Sequence, residues 1–131
     1  MTGAGDLGWA AQFGGSRYEE GRAIAVDTSG AVYTTVWFES TVDFDPGAGS
    51  RTLNSAGSTD IFVAKLTSAG AYDSAYAMGG VDRDMGGGIA VTNAGMIYTV
   101  GDFQSTADFD PGAAAANRTA TNWNPDLFIS Q

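Results

Sequence analysis

Apolar positions in this chain gather in short runs rich in β-branched and aromatic side chains, and the runs end in clusters of Gly, Ser, Thr, Asp or Asn. That is the pattern of strands and turns. Residues 23–26 lead into Asp27-Thr28-Ser29-Gly30, where the carboxylate can cap a turn and the glycine can take a positive φ, and residues 31–38 follow. The segment predicts a β-hairpin. Residues 60–66 form a third predicted strand, closed by Thr67-Ser68-Ala69-Gly70. Residues 72–78 form a fourth, which Gly79-Gly80 is expected to stop. A second hairpin is predicted around Thr92-Asn93-Ala94-Gly95. Residues 39–59 read as a long connection containing Asp43-Phe44-Asp45-Pro46-Gly47. Pro46 lacks an amide donor and Gly47 permits a left-handed turn, so this element is expected to be a tight turn or a sheet edge, with Phe44 tucked beneath it.

The chain also matches itself in one fixed register. Phe13-Gly14-Gly15 falls on Met78-Gly79-Gly80, Ile24-Ala25-Val26 on Ile89-Ala90-Val91, Gly30 on Gly95 and Tyr33-Thr34 on Tyr98-Thr99. The longest match sets Asp43-Phe44-Asp45-Pro46-Gly47-Ala48 against Asp108-Phe109-Asp110-Pro111-Gly112-Ala113. After one inserted residue, Asp60-Ile61-Phe62-Val63 meets Asp126-Leu127-Phe128-Ile129. The chain is therefore a duplication of a β-rich unit of about 65 residues, a period typical of blades and solenoid turns. The implied division is an N-terminal lead over 1–8, a first repeat over 9–73 and a second over 74–131.

Composition narrows the chemistry. At 131 residues there is room for one ordinary domain, and nineteen glycines with few charged residues suit tight turns and close-packed strands. A formal charge of -9 disfavours nucleic acid and anionic lipid as partners. The chain has neither cysteine nor histidine, so disulfides, thiolate metal sites and the commonest general base are excluded. No apolar run approaches the roughly 20 residues needed to span a bilayer. Residues 1–8 lack the basic start and apolar centre of a signal peptide.

The order Trp9…Phe13-Gly14-Gly15, Ile24-Ala25-Val26-Asp27…Gly30…Val32-Tyr33, then Ser55-Ala56-Gly57…Asp60-Ile61-Phe62-Val63-Ala64-Lys65-Leu66…Gly70 resembles the bacterial β-propeller repeat called SBBP. The second copy departs from the pattern, with Thr92 in place of Asp27, Gln131 in place of Lys65, and Asn124-Pro125 ahead of the third strand. The resemblance implies an all-β protein of two four-stranded propeller blades. Such blades are incomplete alone, with strands shared across blade or subunit boundaries. In that frame residues 9–13 are the last strand of a preceding blade, and the second repeat stops after its third strand. A homo-oligomer completed by strand exchange is expected, as a closed propeller or a filament; a piece of a longer repeat protein is the alternative. The resemblance and the acidic composition together imply an extracellular or cell-surface bacterial protein.

Candidate chemistry is sparse. Asp43 with Asp45, and Asp108 with Asp110, could each offer two carboxylates to calcium or could cap turns before Pro-Gly. No further acidic ligands follow at EF-hand spacing, which favours the caps. A glycosidase pair is disfavoured because duplication preserves architecture more readily than one asymmetric active site. Glu19-Glu20 and Asp82-Arg83-Asp84 read most simply as solvated charges. Lys65 is the sole lysine, so nucleophile activation has little to work with. Gly86-Gly87-Gly88 leads into a strand rather than a helix N-terminus, against a phosphate loop. Trp9, Trp37 and Trp123 can stack on sugars if exposed, or can fill the core. Asn117-Arg118-Thr119 matches a glycosylation acceptor. The expectation is a non-enzymatic structural or interaction module with no catalytic residue, metal or cofactor. The rival is a carbohydrate- or calcium-dependent recognition domain with a glycan or protein ligand.

Overall fold

The structure, a computed structural model, describes residues 3–122 and 124–131, so Trp123 lies outside the described residues. It is all-β, with ten strands and no helix among the described residues: β1 (Gly14–Gly15), β2 (Glu19–Val26), β3 (Val32–Asp43), β4 (Thr52–Leu66), β5 (Tyr72–Gly80), β6 (Asp84–Val91), β7 (Ile97–Phe103), β8 (Thr106–Asp108), β9 (Asn117–Thr119) and β10 (Asp126–Ser130). The first unit is an antiparallel meander, β2-β3-β4-β5. In the second, β6 and β10 flank β7 in a separate three-stranded sheet. β5 belongs to both units: it pairs with β4, then through Gly79 and Gly80 with β8.

Local chemistry explains the turns. Asp27 Oδ1 accepts from the amides of Ser29 and Ala31, and Gly30 takes φ 82°, which closes the first hairpin. At the equivalent turn Gly95 has φ 80°, and the Thr92 hydroxyl accepts from the Met96 amide in place of the carboxylate. Ser40 and Ser105, one repeat apart, both have positive φ (67° and 53°). At Ser40 the β3–β4 register shifts, and at Ser105 the chain breaks between β7 and β8.

Three expectations are corrected. Residues 39–59 are not a long loop: β3 continues to Asp43 and β4 starts at Thr52, so Asp-Phe-Asp-Pro-Gly lies at the tip of a lengthened hairpin. The run of small polar residues in β4 carries no apolar alternation, which hid the strand. Gly79-Gly80 does not stop the fourth strand, because both glycines pair with β8. A side chain at Gly80 would meet Thr106 O, so the close approach itself requires glycine. Thirdly, Asp84 is fully buried rather than solvated, being folded into the junction where β6 crosses the first unit.

The core is in two parts. Val36, Phe38, Val42, Phe44, Phe62 and Ala64 fill the first unit, with Phe44 under the hairpin tip as expected. Ile61 and Val63 of the first unit join Met78, Phe103, Ala107 and Phe128 to form the second part between the units.

Candidate functional site

Side chains at alternate positions of a strand share one face. On β3 and β4 the pairs Thr35↔Val63 and Trp37↔Ile61 therefore build a single surface. β6 lies across it, and a Cβ added to Gly86 would sit 2.7 Å from Thr35 Oγ1 and 2.9 Å from Val36 O. This close approach buries Ile61 (0 % exposed) and Val63 (1 %). The same positions of the second unit have no such cover: Leu127 is 70 % exposed and Ile129 73 %, beside exposed Tyr98 and Val100. They form an apolar patch on the face that the first unit buries.

The sheet edges differ in the same way. β4 has a partner on each side, and Tyr72, Ala75 and Ala77 of β5 pack over the first core. Among the described residues β10 pairs with β7 alone. Beside β10 is a groove of about 540 Å3 lined by Phe109, Phe128, Arg118 and Asp126, among others. Residues 7–13 match 72–78 of β5 by the repeat register, yet form no strand. Leu7 is exposed; Trp9 donates from Nε1 to Ser68 O (3.0 Å), and Phe13 packs on Phe44. At this end of the molecule Ile24 and Val26 are exposed, and a Cβ on Gly21, the counterpart of Gly86, would meet nothing within 4 Å. A hollow of about 250 Å3 opens there between Phe13, Thr34, Val42, Phe44 and Phe62.

The residues singled out for chemistry do not converge. Asp43 Oδ1 accepts from the amides of Asp45 and Arg51, and Asp108 Oδ1 from those of Asp110 and Ala116. These bonds hold both carboxyls below the usual carboxylate range. Asp45 and Asp110 accept from Gly47 and Gly112, so all four side chains cap the hairpin tips. Glu20 bonds Arg22 and the indole of Trp37. Lys65 pairs with Asp73 and lies over the Tyr33 ring. Gly86-Gly87-Gly88 is part of β6, and Asn117 is exposed on β9.

One titratable constellation went unseen in the sequence. Asp60 of β4 and Asp84 of β6, 3 % and 0 % exposed, reach the same spot over Gly79. A Cβ there would lie 2.7 Å from Asp60 Cγ, 3.0 Å from Asp60 Oδ1 and 2.9 Å from Asp84 Oδ2. Asp60 Oδ2 accepts from the Ala56 amide, while buried Oδ1 has no partner. Asp84 accepts from the amides of Gln104 and Gly80. Burial pushes Asp60 up to about 6. Burial, joined by the charges of Asp60 and Asp82, takes Asp84 to about 6 against those amide bonds. The available signal was positional: Asp60 is one place beyond Ile61, whose partner is Met78, and so falls beside the double glycine.

Compared with known protein families, curated proteins and solved structures, the chain matches none.

Proposed function

We propose that the chain is a non-enzymatic β-propeller module of the bacterial repeat type its sequence resembles, assembling head to tail with further copies of itself outside the cell or at its surface. The observation that carries this reading is the pair of surfaces just described. The contact that joins the first unit to the second has one unused half at each end of the molecule. Tyr98, Val100, Leu127 and Ile129 are the unused counterpart of the covered face. Gly21, Ile24 and Val26 are the unused counterpart of the strand that covers it.

Repeating the internal contact between copies lays residues 7–13 of one chain along β10 of another, in the place β5 takes beside β4. The edge gains main-chain hydrogen bonds and the groove receives side chains. Burying Leu127 and Ile129 alone contributes about 1.5–3 kcal/mol each. The contact is heterologous, so it closes into a ring or continues as a filament according to the rotation between units. At the aspartate tips Oδ1 of each side chain accepts from backbone amides, which is a capping role.

Solution mass across a micromolar concentration series tests the proposal. The expected result is a multiple of the 13.4 kDa chain that dissociates on dilution or stays closed. A chain that remains monomeric throughout contradicts it.

A further inference from the structure

The buried acid pair belongs to the repeat. Asp60 sits opposite Gly79, and Asp84 starts β6 five residues later. By the same register Asp126 matches Asp60, Gly14 matches Gly79 and Glu19 matches Asp84. Asp126 lines the open groove beside β10 and accepts from the Thr121 amide much as Asp60 does from Ala56. Glu19, at the other end of the molecule, has a buried Oε1 with no partner. Each member of the second pair thus occupies one of the two unused surfaces.

We infer that Asp60 and Asp84 share one proton across the unit junction, and that docking of a second copy builds the same pair from Asp126 and Glu19 of that copy, so that assembly takes up a proton and tightens as the pH falls. The inference rests on the assembly reading above. Two buried carboxylates without a counter-charge repel each other and lose hydration, and a proton on Asp60 Oδ1 relieves both costs while giving that oxygen a bond to donate. Three of the four carboxylate oxygens already accept from backbone amides, which leaves Oδ1 as the place for the proton.

At the internal pair the charged surroundings supply no substitute. Around the internal pair, Asp82 adds negative charge, and Arg83 on the same turn is bound to Asp102. Glu39 on β3 pairs with Thr59, so it points to the opposite face from Asp60. Around the second pair, Arg22 is held by Glu20, and Arg118 donates to Asn117 O. Arg17 lies on the turn between β1 and β2.

The association constant of the full chain, measured by sedimentation equilibrium from about pH 8 to about pH 5, tests the inference: with a pair titrating near 6, as the internal one does, it should be flat above about pH 7 and tighten towards about tenfold per pH unit below about 6. Glu19→Gln and Asp126→Asn should each abolish most of that dependence and assemble at about pH 8 as tightly as the wild type does at about pH 5. Asp73→Asn removes the same charge from an exposed ion pair away from the junction and should keep the wild-type slope. Assembly whose slope survives both junction substitutions overturns the inference alone. A chain monomeric at every pH overturns the assembly reading beneath it.

Discussion

The two units of this chain share one repeat pattern and have different fates. In the first, β4 is paired on both sides and the face bearing Ile61 and Val63 is sealed by β6. In the second, the counterpart of β4 has one neighbour among the described residues, and Leu127 and Ile129 stand in solvent. Burial here follows from what lies next to a position more than from the residue that occupies it. Under the proposed assembly a repeat unit is half of a contact, and the difference between the units marks where a second copy would dock.

Phe44 and Phe109 give the largest test of that difference. Phe44 is enclosed by Phe13, Phe38 and Phe62. Phe109 meets Phe103 and Phe128 at the rim of the open groove. Phe44→Ala should cost about 3–5 kcal/mol in denaturant unfolding. Phe109→Ala should cost less in the isolated chain, with the gap narrowing where the protein assembles.

Gly86 and Gly21 come next. Gly86→Leu should lower stability by about 3 kcal/mol, because the new side chain meets Thr35 and Val36 at the junction. Gly21→Leu enters open space, so the unfolding curve of the isolated chain should hardly move. The same change should block docking of a second copy. Loss of stability in both variants would erase the proposed equivalence of the two ends.

Asp60 gives a smaller, pH-dependent effect. Its carboxyl is raised to about 6, so the folded state binds the proton more tightly than the unfolded chain does. Stability then falls as pH rises from about 4 through about 6, and levels off above. Asp60→Asn keeps the shape and removes the charge. It should raise stability above pH 7 by about 1–3 kcal/mol and flatten the decline, as read from thermal melts across pH.

The smallest effect belongs to the first turn. The hydroxyls of Ser29 and Tyr33, with the amides of Ala31 and Ser29, hold Asp27 down to about 2. Its contribution is present above the ordinary carboxylate range and is lost as pH falls through about 2. Asp27→Thr, which copies the second unit, should remove that acid-range loss and leave stability at neutral pH slightly lower.

How much of this was legible follows from where each signal resides. The hairpins at Gly30 and Gly95 were readable because Asp27, Ser29 and Gly30 in the first turn, and Thr92 and Gly95 in the second, have local reasons to be there. The duplication was readable because it is a property of sequence alone. The extension of β4 through Thr52–Gly57 was not, since Leu53 is its one large apolar side chain and the rest is small or polar. Asp84 was misread because nothing near it in sequence announces β4. Only the crossing of β6 over the first unit brings Asp60 to it. Residues 9–13 carry a strand's pattern and form no strand, because a strand exists only with a partner.

The central claim is that the two open ends fit each other. Solution mass of the wild type and of Gly21→Leu, measured side by side at the same micromolar concentration, tests it most directly. The wild type should be a multimer and the variant a folded monomer. A monomeric wild type, or a variant whose mass equals that of a multimeric wild type, would contradict it.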